Sequence, residues 1–551
     1  RRPLAFVFVV ALAVFAAHMY IVDSPSATTR STVSGPANGA FGDSHLQVNA
    51  SLTGTRLSIH VVDNGSNAIG RLSISLNNVS IPTSNLQPEP TITRPLEPMS
   101  ASFLGYPTEA VGLWTVSASQ SSRLTVNYDY LTCFHVPDSG DHRAVLGCVM
   151  DETYYVPSAQ SILAGTQCAP FAENCNLEHP PLAKALIAGG IAVFGLNDLG
   201  WRIAEVVTGT LSIPLLYVLV YILSGDRRLS VVATLIFAAD VLFFVHSSIA
   251  VIDVPAVFFS LLAFILYFRP GRLWRVNNYV ASGVCFGLAA LSKETALFAL
   301  MAAITYELLF GGGGIKASTK RSIEAAGFAV LTFAGGLQLF DALLTSAALP
   351  WFYQQVQFML SYGSSLKVGP QGGGWCLNGG SCPQGPYITP LNWLGVYNPV
   401  GYLVTKVTVT VTGATTSVLN YVAIGYYGIA NQVIVWMVFL WVPVAAYSIL
   451  KTQNLRSALS AENKVGAFAL VWFLWSYVPY LVLWFYGRVT YPFYFLPAIP
   501  ALATGAAYFM RKPWFPQKMI ALYIIAAFGI FFLYFPVKDF LPDYVRAMLG
   551  H

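Results

Sequence analysis

Three groups of ionisable residues follow one another closely in this chain: Asp151-Glu152, then Glu178-His179-Pro180-Pro181-Leu182-Ala183-Lys184, then Gly200-Trp201-Arg202. A carboxylate held near a bilayer surface can take the proton of an acceptor hydroxyl, its basicity tuned by burial and nearby cations. Alone, an Asp-Glu pair is more often a solvated loop, and a lone histidine is more often structural than catalytic. His179 stands next to Glu178 and ahead of Lys184, behind a double proline that fixes an extended backbone. Arg202, Lys293 and Arg488 fall at the expected outer ends of apolar segments, where ionisable groups are costly and usually functional. A phosphate would justify them, since guanidinium groups bind it through paired, charge-assisted hydrogen bonds. The competing explanation is pairing with acids such as Glu205 or Glu294, or snorkelling to the interface. Asp253, ahead of Pro255, and Asp240, inside an apolar run, can orient a cation or line a cavity. Asp151, Glu152, His179 and Asp253 also offer oxygen and nitrogen ligands for a divalent metal, but their spacing matches no strong metal motif. Nothing in these residues demands a metal or other cofactor.

The elements that must position these residues are membrane helices. Of 551 residues, 55% are hydrophobic and 10% charged, a membrane protein's composition. Apolar runs near 3–22, 203–224, 229–245, 250–268, 278–292, 295–311, 323–348, 431–450, 465–486, 491–510 and 518–536 predict about eleven spans. The run 182–195 reads as interfacial or re-entrant. With the N-terminus in the cytoplasm, Lys and Arg crowd the short inner loops. The net charge of +5 is therefore a topology signal, and it does not point to nucleic acid. The first segment, 1–23, reads as an uncleaved span, since it lacks a small-residue cleavage site.

Residues 24–150 are polar and rich in Ser and Thr. Leu57, Ile59 and Val61, and then Leu72, Ile74 and Leu76, alternate with polar residues. Further β-prone runs lie at 112–118 and 124–134, so the block predicts a small antiparallel β-sandwich. Expected segments are thus 24–150 as an extracytoplasmic β domain, 151–202 as an outer loop with an interfacial helix, 203–348 as spans two to seven, 349–430 as a second outer loop, and 431–551 as the last four spans. The run 401–428, rich in Thr, Val and Tyr, reads as an amphipathic or partly inserted segment, or else as a twelfth crossing. Three close cysteine pairs, Cys133 with Cys148, Cys168 with Cys175 and Cys376 with Cys382, suggest three disulfides in an oxidising compartment. Asn49, Asn64 and Asn78 begin glycosylation sequons.

Taken together, Asp151-Glu152, the His179-Pro180-Pro181 segment and Gly200-Trp201-Arg202 resemble the first outer loop of the protein O-mannosyltransferases, glycosyltransferase family 39, of the GT-C fold. Ile252-Asp253-Val254-Pro255, Gly287 to Lys293, and Arg488-Val489-Thr490-Tyr491 through Leu496-Pro497-Ala498 resemble that family's later segments, in the same order. The resemblance implies inverting transfer of a sugar, mannose foremost, from a polyprenyl or dolichyl phosphate to a hydroxyl acceptor outside the cytoplasm, the acceptor being a protein or a glycan. It implies Asp151 as base and Glu152 beside the acceptor. Arg202, Lys293 and Arg488 would then serve the donor phosphate, with His179, Lys184 and Asp253 in support. The sequence departs from the family at Ser247-Ser248, where Ser-Arg is usual, and it lacks the eukaryotic β-trefoil domain. The absent trefoil and the extra sandwich-like block at 24–150 point to a prokaryotic, archaeal-like branch. A lipid or lipid-linked-glycan transferase of the same fold is the first alternative. The second is a silent scaffold that docks an envelope partner through 24–150. A transporter is disfavoured, since no inverted repeat is seen.

Overall fold

The computed structural model describes residues 2–24, 28–43, 46–63, 69–82, 86–88, 109–117, 121–131, 149–163, 165, 176–269, 272–273, 276–344, 352–365, 390–395, 399–411, 417–452, 460–486, 488 and 490–538. The cysteines expected to form disulfides, Cys133 with Cys148, Cys168 with Cys175 and Cys376 with Cys382, all lie outside the described residues. So does the Asn64 sequon. Among the described residues there is no disulfide, and Cys285 is a buried free thiol.

The chain divides into two compact units, one of 22–166 and 185–203, the other of 1–21, 167–184 and 204–551. The helices are α1 (Arg2–Ile21), α2 (Glu152–Leu163), α3 (Leu182–Phe194), α4 (Asp198–Ser224), α5 (Arg227–Ala238), α6 (Val241–His246), α7 (Asp253–Phe268), α8 (Asn278–Ser292), α9 (Leu297–Phe310), α10 (Gly314–Leu344), α11 (Phe352–Ser365), α12 (Pro390–Trp393), α13 (Gln432–Trp436), α14 (Val438–Leu450), α15 (Ala461–Phe485), α16 (Ile499–Met510) and α17 (Gln517–Leu533). All eleven expected apolar segments fall on helices. Among the described residues six helical stretches are long and apolar enough to cross a membrane: Pro3–Ile21, Asp198–Ser224, Gly314–Leu343, Gln432–Leu450, Ala461–Phe485 and Pro492–Met510. The protein is an integral membrane protein.

The smaller unit contains a two-sheet sandwich. Its strands are β1 (Thr28–Pro36), β2 (Gly39–Gly42), β3 (Leu46–Thr53), β4 (Arg56–Asp63), β5 (Ile69–Leu76), β6 (Val79–Ile81), β7 (Leu86–Pro88), β8 (Glu109–Thr115) and β9 (Arg123–Leu131). One sheet runs β1-β9-β5-β6 and the other β2-β3-β4-β8-β7. The alternation seen in the sequence supplies its core, where Leu57, Ile59, Val61, Ile74 and Leu76 are buried with Val126 and Trp114. Asn77 and Asn78 both take positive φ (48° and 66°) between β5 and β6. That matches the two-residue hairpin turn in which Asn is favoured. The Asn78 and Asn49 side chains are exposed.

In the larger unit, aromatic contacts knit the helical core, among them Phe264 of α7 against Trp472 and Phe468 of α15. The expected span 229–245 is broken between α5 and α6. Asp240 is the reason: its carboxylate caps α6 by accepting from Phe243 N at 2.8 Å and also accepts from Asn431 N at 3.0 Å. The intramembrane aspartate is thus a helix cap. The strands β10 (Arg272–Leu273) and β11 (Val276–Asn277) form a short hairpin between α7 and α8. Within 401–428, expected as an amphipathic or partly inserted segment or a twelfth crossing, the described residues pair as a long antiparallel hairpin, β12 (Val400–Val411) with β13 (Ser417–Gly428). Its β-branched and aromatic residues favour a strand over a helix.

Candidate functional site

In the smaller unit the acidic pair does not sit in a loop. Asp151 precedes α2, and its carbonyl accepts from Tyr154 N and Tyr155 N. Met150, just before it, has φ 57°, a left-handed backbone that a non-glycine residue seldom adopts. Glu152 is fully buried, and so is Arg202 of α4. The guanidinium meets the carboxylate twice, Nε to Oε1 at 2.7 Å and Nη2 to Oε2 at 2.9 Å, and Nη1 donates to the Val22 carbonyl at 2.8 Å. Glu152 Oε2 also accepts from Val149 N at 2.9 Å. The two motifs, fifty residues apart, are therefore one buried ion pair that clamps the Asp151 turn to α4. Asp198, four residues before Arg202, also places Oδ1 4.0 Å from Arg202 Nη1. The glycine of Gly200-Trp201-Arg202 has a steric role. A Cβ on Gly200 would lie 1.9 Å from the Gly195 carbonyl oxygen, and one on Gly190 of α3 would lie 2.3 Å from that of Gly200.

In the larger unit the remaining motif residues converge. The double proline leads into α3, whose Lys184 turns back to donate to the Asn176 carbonyl and, at 2.9 Å, to the His179 carbonyl. Burial lowers the Lys184 pKa to about 8, against the raising influence of Glu178 and Glu294. His179 Nδ1 lies 3.3 Å from Glu294 Oε2. Burial opposes ionisation of Glu294, yet His179 and Lys293 hold its pKa down at about 2.

Lys293 ends α8, and its ammonium pairs with Asp253 at the start of α7. Both are buried. Burial works against the charged lysine, but Asp253, Tyr480 and Tyr494 outweigh it and raise its pKa. The ammonium lies 5.3 Å from the ring centres of both Phe493 and Tyr494, within reach of their π faces. Arg488 bonds the Tyr494 side chain and lies over Gly363, where a Cβ would meet Nη1 at 2.8 Å. Its buried Nε has no hydrogen-bond partner among the described residues. Asp253, Lys293 and Tyr480 border a narrow cleft whose apolar wall includes Val257, Phe298 and Trp472. Among the described residues no three His, Cys, Asp or Glu side chains gather as a metal site.

Sequence reasoning does not reveal Glu294 as the partner of His179, nor Tyr480 and Tyr494 beside Lys293. Position 294, directly after Lys293, is the one signal for the first. The two tyrosines resemble any interfacial belt. Ser248, where the resembling family carries arginine, is already bonded: its hydroxyl donates to the Phe244 carbonyl at 2.8 Å and lies 2.9 Å from His18 Nδ1 of α1.

A buried lysine-carboxylate pair with an arginine nearby is thus set among apolar helices. Residues 178–336 match the family described as dolichyl-phosphate-mannose-protein mannosyltransferase. The chain is similar to a polyprenol-phosphate-mannose–protein mannosyltransferase of Mycolicibacterium smegmatis, 27% identical over 40% of this chain and 48% of that protein. The match thus spans about half of that relative's length. An undecaprenyl phosphate-alpha-4-amino-4-deoxy-L-arabinose arabinosyl transferase of Pseudomonas aeruginosa is 31% identical over 37% of this chain and 35% of its own. The S. cerevisiae protein O-mannosyltransferase Pmt1-Pmt2 complex bound to the sugar donor aligns at 13% identity and TM-score 0.46, covering 73% of this chain and 87% of that one.

Proposed function

We propose that the protein is an inverting glycosyltransferase that moves a sugar, mannose foremost, from a polyprenyl phosphate to a hydroxyl of an exported acceptor on the extracytoplasmic side. The observation that carries this reading is Lys293 in its ion pair with Asp253 at the border of an apolar cleft, with Arg488 close by. The apolar wall suits isoprenoid carbon, and the cations suit a phosphodiester. In the reaction Asp151 removes the acceptor proton as the acceptor oxygen bonds the anomeric carbon. The bond from that carbon to the phosphate oxygen breaks, and the polyprenyl phosphate leaves with one more negative charge. Lys293 and Arg488 stabilise that charge. Glu152 and Arg202 hold the turn that carries Asp151, and His179 and Lys184 hold the loop beside Glu294. The acceptor is Ser or Thr of protein, in keeping with the named activity of the Mycolicibacterium relative. A second reading keeps the polyprenyl-phosphate donor, as the name of the arabinosyl transferase relative does, and takes a lipid or lipid-linked glycan as acceptor.

The test is transfer from radiolabelled polyprenyl-phosphate mannose by purified protein, with peptide and glycolipid acceptors in parallel. Asp151→Asn should abolish transfer and leave the protein folded. Full activity in that variant would refute the assignment of the base, and label in glycolipid alone would move the acceptor to the second reading.

A further inference from the structure

His246 closes α6 and is completely buried. Its Nε2 lies 3.0 Å from the Tyr402 hydroxyl, while Nδ1 has no hydrogen-bond partner among the described residues. Leaving a buried ring nitrogen unbonded is costly, so such an atom calls for a partner. The imidazole lies 5.9 Å, ring to ring, from Phe493, the same ring that Lys293 approaches. Asp253 and Lys293 are the charged groups that act on it, and burial disfavours its protonated form.

Tyr402 is itself held. Its ring lies over Gly428 across the hairpin, where a Cβ would fall 2.3 Å from the tyrosine oxygen. A phenol O–H that donates to Nε2 fixes the tautomer in which Nδ1 carries the proton. The base of the β12–β13 hairpin would then present one neutral N–H in the neighbourhood of the Lys293–Asp253 pair. Two residues later the hydroxyl of Ser248 is bonded within the helix and to His18, so it offers no such group.

We infer that His246 is a further donor-site residue, whose Nδ1–H binds a phosphoryl oxygen of an isoprenoid phosphate beside Lys293, with Tyr402 as the positioning residue that sets its tautomer. The inference rests on the proposed donor class. It adds a neutral hydrogen bond to the cations proposed for that phosphate.

The test measures farnesyl phosphate binding to the purified full chain in detergent, alongside KM and kcat for the polyprenyl-phosphate sugar. His246→Phe should weaken binding about tenfold, the size of one lost hydrogen bond to a charged group, and raise KM more than it lowers kcat. His246→Gln, which keeps an N–H donor, should recover most of the affinity. Tyr402→Phe should show a smaller loss. Weakened binding by Lys293→Met alone, with all His246 variants like wild type, would overturn the role of His246 and leave the donor reading intact. Equal loss in His246→Phe and His246→Gln, together with a lowered unfolding temperature in both, would show a purely structural histidine and overturn it too. No binding by the wild type would overturn the donor reading and this inference with it.

Discussion

Arg202 and Glu152 meet in a two-point ion pair from which solvent is wholly excluded, both side chains being 0% exposed. The Val22 carbonyl, the Val149 N–H and, at 4.0 Å, the Asp198 carboxylate lie around the pair. Removing one member strands a buried charge. Arg202→Met or Glu152→Leu should destabilise the protein by roughly 3–5 kcal/mol, and the double replacement by much less, since the stranded charge is then gone. Thermal unfolding of the two single variants and the double variant checks this.

Met150 holds its left-handed conformation at a cost of roughly 1 kcal/mol, because its Cβ crowds the following carbonyl. Met150→Gly should relieve that strain and raise the unfolding temperature slightly. Met150→Ile should lower it, since a β-branched residue tolerates this region poorly. If Asp151 is the base, Met150→Gly should also lower kcat, because the turn that aims the carboxylate loosens. Unfolding curves and steady-state transfer rates test the two halves separately.

Lys184 has a pKa near 8 in the folded protein against an ordinary 10.5. Between those values the unfolded chain binds a proton that the folded one has released, so stability rises with pH across that window. Below about 8 both states are protonated and the burial cost is constant. The difference in unfolding temperature between wild type and Lys184→Met should therefore shift in favour of the wild type from pH 8 to 10.5. A flat difference would show that Lys184 is not desolvated.

Lys293→Met should lower transfer by roughly 10²-fold, the scale of losing one electrostatic group at a developing charge. Lys293→Arg should retain part of the activity. The same lysine neutralises Asp253, so the Met variant should also lose stability, and Lys293→Met combined with Asp253→Asn should regain it without regaining transfer. Parallel rate and unfolding measurements separate the two effects.

The helices and the sandwich are legible in the sequence because they follow from pattern: long apolar runs in one case, the alternation of Leu57, Ile59 and Val61 in the other. Asp253, Lys293, His179 and Arg488 are legible as candidates because charge is expensive in an apolar setting. Their partners are not. Glu152 and Arg202 are fifty positions apart, His179 and Glu294 more than twice that, and nothing local in a sequence encodes such a pairing. The break at Asp240 escapes hydropathy, which averages over one polar residue, although that residue's carboxylate caps a new helix. The β12–β13 hairpin escapes it too, because Thr and Val runs fit a strand or an apolar helix until a partner strand is known.

Gly190 and Gly200 take no part in any chemistry, yet they set a clearance. A single methyl at either would push against backbone oxygen that has nowhere to go, prising α3 from the start of α4, two residues before the guanidinium that must meet Glu152. Gly-Trp-Arg thus specifies a distance as much as a charge. The arginine can reach its carboxylate because the residue two places before it takes up no room.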